Sequence, residues 1–265
     1  MAQKLDEWSK NGKISEVHIL RGEERYLKGM ASSQIRGKVI KEVYRRGKYL
    51  SFELDDGSRV VGHNAMTGFW DCTQERWTFD YVEGKRTSDD SDVRVMLELQ
   101  MPDGSFNSLM YHDARLFGRM EWYPQNYKEL PFLGVGPDSF QTPRLLPGTP
   151  IITRQHLEKV LRKKKPLKEL LLKQSLLAGI GNIYAAELLF ACGISPMRDG
   201  SDLQDKEFEL LLTAIFGVFA VALAQDLDYK WLQIYRKKNC PLCAKSVKKY
   251  SIKGRSTYWC EGCQK

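Results

Sequence analysis

The sequence lacks a hydrophobic run long enough to cross a membrane. Its longest apolar run, Leu210 to Ala224, has fifteen residues, whereas a membrane-spanning helix needs about 20. The N-terminal stretch MAQKLDEWSKNGK has no apolar core of the kind found in secretory signals, and no internal repeat or low-complexity tract is evident. These absences predict a globular protein without a membrane partner, located in the cytoplasm or at the nucleoid.

Acidic residues are too few to balance the basic ones. The chain has 41 Lys and Arg residues against 33 Asp and Glu residues, a formal net charge of +8. The basic residues cluster in RRGK (45–48), RKKKPLK (162–168), YRKK (235–238) and KKYSIKGR (248–255). A solvated basic surface is one interpretation, but four clusters in one chain favour a polyanionic partner such as nucleic acid.

The cysteines follow the spacing of a metal site. Four of the six form two CxxC pairs separated by sixteen residues: Cys240 with Cys243, and Cys260 with Cys263. Two such turns can supply the four thiolates of a tetrahedral Zn²⁺ site, which would be structural because no ligand position stays open. The alternative is a pair of disulfides, which requires an oxidising compartment. Cys72 and Cys192 are left over and are expected to be buried free thiols.

Residues 1–150 have the alternation typical of β-strands. Two hairpin signals stand out, one around Asp56-Gly57 and one around Pro102-Asp103-Gly104. Glycine and aspartate at such positions allow the backbone to reverse tightly. This half is predicted to form an antiparallel β-sandwich or barrel with a helix before it.

From Thr153 onward the apolar period becomes helical. Four segments fit that period: 154–165, 166–177, 182–193 and 205–225. PGTP at 147–150 marks the linker before them. The sequence therefore predicts an α+β fold, with an N-terminal antiparallel β-sandwich (1–146), a helical domain (147–238) and a zinc-finger hairpin (239–265).

The helical pattern breaks at Gly179-Ile180-Gly181-Asn182. Asn182 is a favourable helix N-cap, and the glycines before it permit positive φ and close approach of the backbone. The unpaired amides at the start of the next helix would then face outward with the positive end of its dipole, which suits a phosphate. Alternatively, the glycines serve only the packing of a helical corner. The basic segment upstream and the cysteine motif downstream favour the phosphate site.

Several stretches together resemble a family of DNA-repair enzymes. These are RRGKYLSFEL, HNAMTG, HDARLFG, GVGPD, LLLKQSLLAGIGNIYAAELLFACGISP and IYRKKNCPLC…KGRSTYWCEGCQK. The combination resembles the formamidopyrimidine-DNA glycosylase and endonuclease VIII family and covers roughly residues 35 to 265. The resemblance implies a β-sandwich hinged to a helical domain with a helix–two-turns–helix motif. It also implies damaged DNA bound in the cleft between them, a nucleotide flipped out, and base excision with AP-lyase chemistry.

The same resemblance assigns roles to individual residues. Asn182 would contact the phosphate that flanks the lesion, Lys168 would add positive charge there, and Arg255 would reach a phosphate from the tip of the zinc finger. Lys48, in RRGKYL, corresponds to a lysine that the family keeps close to the scissile nucleotide. Without the resemblance, Lys48 would be interpreted as a solvated lysine on a strand.

Three further residues match the side chains that such enzymes insert into the duplex. They are Met66 in HNAMTG, and Arg115 and Phe117 in ARLFG. An apolar wedge and a planar guanidinium can occupy the gap that a flipped nucleotide leaves. Without the resemblance, Met66 and Phe117 would be interpreted as core residues.

The chain departs from the family pattern in two places. Members of the family begin with a Pro-Glu-Leu-Pro-Glu-Val-like stretch that carries the nucleophilic amine and a proton-transferring glutamate, whereas this chain starts MAQKLDEW. Removal of Met1 would expose the α-amino group of Ala2, which has a pKa of about 8. The next residue, Gln3, cannot exchange protons. In addition, only QDLDYKWLQIYRKK (225–238) joins the last helix to the finger. The lesion-capping loop of oxoguanine-type members is therefore missing.

These departures leave two hypotheses for the function. In the first, the chain is a DNA glycosylase with AP-lyase activity that uses the amine of Ala2 or Lys48 to form a Schiff base. In the second, it is a DNA-binding protein, a lesion sensor or structural factor, that has lost excision. An RNA-binding derivative is a third possibility. The expected partner is double-stranded DNA with a damaged base or abasic site, the expected cofactor is structural Zn²⁺, and the expected state is a monomer.

Overall fold

The computed structural model describes residues 1–21, 26–28, 32–74, 81–82, 85–86, 92–225 and 229–265. The chain forms two compact units. Unit 1 comprises Met1–Leu133 and Pro143–Pro147, and unit 2 comprises Gly134–Thr142 and Gly148–Lys265. The three-part division at residues 146 and 238 stays a prediction.

Unit 1 is built mainly from strands. Its described elements are α1 (Ala2–Ser9), β1 (Lys13–Ile19), β2 (Tyr26–Lys28), a 3-10 turn (Ser32–Gln34), β3 (Ile40–Arg46), β4 (Tyr49–Leu54), β5 (Arg59–His63), β6 (Phe69–Thr73), β7 (Tyr81–Val82), β8 (Lys85–Arg86), β9 (Val93–Gln100), β10 (Phe106–His112) and β11 (Arg119–Tyr123). The predicted helix before the strands is therefore confirmed as α1.

Two sheets of unit 1 pack around one hydrophobic core. The four-stranded sheet has the order β1-β9-β10-β6, and the five-stranded sheet has the order β2-β11-β5-β4-β3. Ile14 and Leu97 from the first sheet and Val43 and Phe52 from the second belong to the same buried cluster. Neighbouring strands are antiparallel, as predicted, except that β2 and β11 pair in parallel.

Both predicted hairpins are present in unit 1. Strand β4 pairs with β5 across the turn at Gly57, and β9 pairs with β10 across the turn at Gly104. The two glycines have φ of +78° and +86°, a conformation that costs other residues energy. The turn chemistry read from the sequence therefore fixed the position of both hairpins.

Unit 2 is mainly helical and ends in a hairpin. Its described elements are α2 (Arg154–Leu161), α3 (Leu167–Leu171), α4 (Asn182–Ala191), a 3-10 turn (Gly200–Asp202), α5 (Asp205–Ala224), a 3-10 turn (Tyr229–Trp231), β12 (Lys248–Ile252) and β13 (Arg255–Trp259). All four predicted helical segments contain a helix, followed by the C-terminal hairpin.

The second of these helices is much shorter than predicted. The pattern favoured a helix over residues 166–177, but α3 ends at Leu171, and turns follow. Leu177 is fully buried in the helical core without being helical. An apolar residue at helical spacing can thus reach the core from a turn, which periodicity alone cannot distinguish from a helix.

Helix α5 is longer than the fifteen-residue apolar run. It has 20 residues, and an 18-residue stretch of it has a mean hydropathy of 2.0, so by length and composition alone it is a candidate membrane span. Core helices of globular proteins meet the same criterion, and Phe208, Leu211 and Ile215 of α5 lie in the buried cluster of unit 2. The first turn of α5 also carries two acidic residues, Asp205 and Glu207.

Candidate functional site

Helix α4 starts one residue earlier than the sequence suggested. The N-cap is Gly181, in extended conformation with φ −108°, and Asn182 is the first helical residue. Only Gly179 of the two glycines has positive φ, at +98°. The prediction that Asn182 caps the helix is therefore wrong, because its side chain bonds elsewhere. No described side chain caps α4, and the first amides of a helix have no acceptor within it.

The loop before α4 is fixed by one side chain and by a neighbouring strand-like segment. Gln174 Nε2 donates to the carbonyl of Ile180 at 2.8 Å, and Gln174 Oε1 accepts from the amide of Gly179 at 3.0 Å. A Cβ at Gly136, in the GVGPD stretch, would lie 2.3 Å from the carbonyl of Leu176. The glycine is thus required for close backbone approach, and the loop presents the start of α4 in a defined position.

Two polar side chains of unit 2 donate to the carbonyl of Ser256, and a third residue, Arg255, directly precedes Ser256. We call Lys168, Asn182 and Arg255 the Ser256 cluster. Lys168 Nζ donates to this carbonyl at 3.0 Å and to Thr257 Oγ1 at 2.9 Å. Asn182 Nδ2 donates to the same carbonyl at 3.0 Å. Arg255 is exposed at the first position of β13, directly before Ser256. Three predicted binding residues from separate parts of the sequence are therefore neighbours.

The environment of Lys168 shifts its titration. The residue is fully buried, and burial, together with the positive charge of Arg255, lowers the pKa of its ammonium group to about 8. Its two hydrogen-bond acceptors are uncharged, and no carboxylate is among them. The cluster thus concentrates positive charge, and an added anion would stabilise the charged form of Lys168.

The four cysteines of the C-terminal hairpin form a compact group. The Sγ atoms of Cys240 and Cys263 are 3.7 Å apart, those of Cys243 and Cys260 are 3.4 Å apart, and all four lie within 4.8 Å of one another. All four are free thiols, so the disulfide alternative is not what the structure has. Four thiols at these distances can bind one metal ion, as the spacing predicted.

The hairpin is also tied to the residues that follow α4. Gln264 Oε1 accepts from the amide of Cys260 at 2.8 Å, and Gln264 Nε2 donates to the carbonyl of Ile194 at 2.9 Å. The amide of Lys265 donates to the carbonyl of Gly193 at 2.9 Å. These bonds attach the four-cysteine group to the segment that follows α4.

In unit 1, residues 64–68 form a tight turn between β5 and β6. The amide of Gly68 donates to the carbonyl of Asn64 at 2.9 Å, and Ala65 has φ +52°. Met66, in the middle of this 64–68 turn, is 73% exposed. The interpretation of Met66 as a core residue is therefore wrong.

A second tight turn, residues 113–118, connects β10 to β11. The amide of Leu116 donates to the carbonyl of Asp113 at 3.2 Å, and Leu116 has φ +57°. Phe117 is 47% exposed, and the guanidinium carbon of Arg115 lies 4.5 Å from the centre of its ring. The 113–118 turn thus presents an apolar ring and a planar cation together, and Phe117 is not a core residue.

Lys48 lies in the turn between β3 and β4 and is exposed. Burial, followed by the positive charges of Arg119 and Lys48, lowers the pKa of His63. The register explains why these groups are neighbours, because His63 pairs with Tyr49 on one side and with Arg119 on the other. Lys48 is therefore part of a cationic group at this end of the five-stranded sheet.

The described side chains at the start of the chain are used within the fold or are uncharged. Ala2 is the first residue of α1, and its side chain is buried in the core of unit 1. Gln3 is exposed and donates to Glu7 at 3.1 Å. Asp6 accepts from the amide of Val43 at 2.8 Å. The buried carboxylate of this helix is therefore used within the fold.

Comparison with known proteins identifies the family. The model of the formamidopyrimidine-DNA glycosylase N-terminal domain matches residues 1–120, and that of the H2TH domain of the same enzymes matches residues 147–230. The formamidopyrimidine-DNA glycosylase of Syntrophomonas wolfei is 32% identical over 95% of this chain and 92% of its own length. The chain belongs to the formamidopyrimidine-DNA glycosylase family. The Thermus thermophilus enzyme is 31% identical over 86% of this chain and 83% of its own length.

Solved structures of the formamidopyrimidine-DNA glycosylase family have the same fold. The crystal structure of the Thermus thermophilus MutM (Fpg) protein has a TM-score of 0.79 and 28% identity, and covers 99% of this chain and 95% of that one. The Lactococcus lactis glycosylase, bound non-covalently to DNA that contains an AP site, has a TM-score of 0.80 and 25% identity, with coverages of 99% and 96%. The α+β fold predicted from the sequence is therefore confirmed, and the chain belongs to a family of DNA-repair glycosylases.

Sequence reasoning missed several residues that shape this glycosylase-family site. Gln174 lies in the KQSLL stretch and positions the loop before α4. His63 is the first residue of HNAMTG, and its Nδ1 accepts from the amide of Ala65 at 3.1 Å. Asp113 belongs to HDARLFG and bonds to both tight turns of unit 1. Each lies within a motif that carries the family resemblance, and that position was the available signal.

Proposed function

We propose that this chain binds double-stranded DNA at a damaged base or abasic site and holds it with one nucleotide flipped out. The observation that carries the proposal is the Ser256 cluster beside the uncapped start of α4. Lys168 contributes charge, Arg255 is exposed, and Asn182 Nδ2 keeps one hydrogen that Ser256 does not use. With the helix amides, these donors suit a DNA phosphate.

In this proposal the four cysteines hold Zn²⁺. A tetrahedral site with Zn–S bonds of about 2.3 Å places the sulfur atoms about 3.8 Å apart. The Sγ distances of 3.4 and 3.7 Å are close to that spacing. The ion would be structural, and its role is to hold the β12–β13 hairpin, and thus Arg255 and Ser256, in place.

The two tight turns of unit 1 supply the inserted side chains. Exposed apolar side chains that lie together mark interaction sites, so the exposure of Met66 and Phe117 supports a function in which they meet another apolar surface. The unstacked gap beside a flipped nucleotide is such a surface. The guanidinium of Arg115, already stacked on Phe117, would face the unpaired base.

Binding assays with Asn182 variants test the proposal. The ligands are a fluorescent duplex with a tetrahydrofuran abasic site and the same duplex without it. Asn182→Ala should weaken binding to both duplexes by about tenfold, because it removes a charge-assisted hydrogen bond. Asn182→Asp, which has the same shape but places a carboxylate at the phosphate, should weaken both further. Unchanged affinity in the two variants, with zinc content and Tm preserved, would refute the assignment.

Base excision with AP-lyase chemistry is the second candidate function, and the position of Lys48 favours it. Lys48 is exposed beside β4, and an unprotonated lysine amine can add to a carbonyl carbon as a nucleophile. The attacking amine would add to C1′ of an abasic sugar, and loss of water would give a Schiff base. The amine of Ala2, exposed once Met1 is removed, is the alternative nucleophile, although Gln3 beside it cannot transfer a proton.

Borohydride trapping on an abasic duplex distinguishes the enzyme from a catalytically silent binder. A covalent adduct that disappears in Lys48→Met identifies Lys48 as the nucleophile. An adduct that survives Lys48→Met but is lost when the N-terminal amine is acetylated identifies the terminus. Lesion binding without any adduct supports the silent binder, and equal affinity for RNA and undamaged duplex supports a nucleic-acid-binding derivative without lesion recognition.

A further inference from the structure

The two tight turns of unit 1 run side by side between the same pair of sheets. The 64–68 turn leads from β5 to β6, and the 113–118 turn leads from β10 back to β11. On one side of the turns His63 pairs with Arg119, and on the other Phe69 pairs with His112. The side chains of Met66, Arg115 and Phe117 are therefore carried by neighbouring connections, although they are far apart in sequence.

One carboxylate bonds to both turns. Asp113 is fully buried. Its Oδ1 accepts from the hydroxyl of Thr67, in the first turn. Its Oδ2 accepts from the amide of Gly118, in the second turn, at 2.6 Å, and from the hydroxyl of Tyr26, in β2, at 2.9 Å. The two oxygens thus connect the residue after Met66 to the residue after Phe117.

Both turns also rest on the same aromatic ring. A Cβ at Gly68 would lie 2.2 Å from the hydroxyl oxygen of Tyr111, and a Cβ at Gly118 would lie 1.9 Å from it. Neither position can carry a side chain without moving the ring or the turn. Tyr111 is buried, so the ring is a rigid support, and the turns cannot shift toward it.

A buried arginine of β9 fixes the start of the 113–118 turn. Arg94 is 2% exposed, and its Nε donates to the carbonyl of Asp113 at 2.8 Å. The amide of Asp113 donates to the carbonyl of Asp92 at 2.9 Å. The backbone of Asp113 is therefore fixed by Arg94 of β9 and by Asp92 directly before it, and its carboxylate makes the connection to the first turn.

The carboxylate of Asp113 is charged in this environment. Burial raises its pKa, but the hydrogen bonds from Thr67, Gly118 and Tyr26 favour the charged form more strongly, and the pKa is lowered overall. An ionised carboxylate only accepts hydrogen bonds, and all three neighbours donate. A neutral amide at the same position would present one donor group to them and repel at least one neighbour.

We infer that Asp113 is a positioning residue that sets the placement of Met66 relative to Arg115 and Phe117, by accepting hydrogen bonds from both turns at once. The inference rests on the proposed binding of damaged DNA. A preset arrangement matters because inserted side chains that must first be ordered lose affinity for the lesion. Asp113 itself touches no DNA in this scheme.

Two variants that each remove one hydrogen bond from Asp113 provide the test. Thr67→Val removes the connection to the 64–68 turn while keeping the shape of the side chain. Tyr26→Phe removes a bond to the same carboxylate that leads to neither turn, and is the matched control. Thr67→Ser restores the hydroxyl and should rescue the first variant. All keep Asp113 itself, which lowers the risk that the protein fails to fold.

The measured quantity is the ratio of the Kd for undamaged duplex to the Kd for tetrahydrofuran-containing duplex. Thr67→Val should lower this ratio by about tenfold, because the inserted side chains must then be ordered when the lesion binds. Binding to undamaged duplex should change by less than about twofold, because the phosphate contacts are unaffected. Fluorescence of 2-aminopurine opposite the abasic site, which reports insertion, should change in the same variant only.

The outcomes separate the inference from the function on which it rests. A wild-type protein without preference for the abasic duplex overturns the proposed function and the inference with it. A preference in the wild type that Thr67→Val retains overturns the inference alone. Equal losses in Thr67→Val and Tyr26→Phe also overturn it, since Asp113 would then act through stability. Loss in Thr67→Val, retention in Tyr26→Phe and rescue in Thr67→Ser support it.

Discussion

The Ser256 cluster and the first helix use polar side chains in opposite ways. In the cluster, Lys168 and Asn182 donate to a backbone carbonyl, and exposed Arg255 adds a second positive charge. In α1, the buried carboxylate of Asp6 accepts from the backbone and pairs with Arg144. One region concentrates positive charge where an anion can approach, whereas the other satisfies its charge internally.

The residues proposed for DNA binding and those considered for the chemistry lie in different regions of the chain. The groups proposed to hold a phosphate are all present and close together, although they come from α3, α4 and β13. At the other end of the chain, the side chain of Ala2 is buried in the core of unit 1 and Gln3 is exposed in α1. Binding and chemistry depend on different residues of a fold, so the two can be tested separately.

Of the variants considered, one that removes the metal site should cause the largest loss of DNA affinity. Cys260→Ser should release zinc and disorder the hairpin, with a loss of DNA affinity of more than about 100-fold, because metal binding supplies the folding free energy of such hairpins. Zinc content by mass spectrometry and fluorescence anisotropy check both points. Cys72→Ser, at a free cysteine of unit 1, is the matched control and should change neither. Retained zinc in Cys260→Ser would contradict the four-cysteine site.

Asp6→Asn tests whether the α1 carboxylate is structural. It breaks a buried ion pair and should lower the free energy of unfolding by about 2–3 kcal/mol, while DNA affinity of the folded protein stays unchanged. Glu42→Gln is the control, because Glu42 lies 3.9 Å from the same Arg144 but is partly exposed, and its loss should cost under about 1 kcal/mol. Thermal unfolding measures both. A loss of lesion binding without loss of stability would instead give Asp6 a functional role.

The pH dependence of binding tests Lys168. Its pKa is lowered from 10.5 to about 8, so the free protein loses this charge as the pH rises through 8, and bound phosphate should restore it. Affinity should therefore be flat below pH 8 and fall above it, approaching about tenfold per pH unit. The stability contribution has the opposite sign: the cost of burying the charge is present below pH 8 and is relieved as pH rises toward 10.5.

Lys168→Met should bind more weakly below pH 8 and lose the additional fall above it. Lys206→Met, at an exposed lysine in the first turn of α5, should keep the wild-type profile. A profile that is the same in the wild type and in Lys168→Met would exclude Lys168 as the titrating group.

Arg255→Gln should have the smallest effect. If Arg255 contacts one phosphate, its loss should reduce the slope of log Kd against log salt concentration by about 1, with a modest loss of affinity. Anisotropy titrations across a series of salt concentrations measure the slope, with Lys206→Gln as the control. An unchanged slope would show that Arg255 does not neutralise a phosphate.

Much of the architecture was readable because local chemistry decides it. Gly57 and Gly104 mark the hairpins, since only glycine adopts their backbone conformation at low cost. The spacing of the cysteines predicted a metal site because two CxxC turns are a local geometry. The helix at 166–177 was overestimated, because Leu177 reaches the core from a turn. The helix N-cap was predicted at Asn182 but lies at Gly181. The side chain of Asn182 instead donates to the carbonyl of Ser256, seventy-four residues away.

The sequence by itself determined the class of fold, the hairpins, the four-cysteine group and the motifs that identify the family. These depend on residues close together in the chain or on matched stretches. Only the tertiary structure decided that Met66 and Phe117 are exposed. It also decided that Asp113 joins two turns and that Lys168 is buried beside Arg255. Each depends on strand register or on contacts between distant segments, which apolar periodicity does not encode.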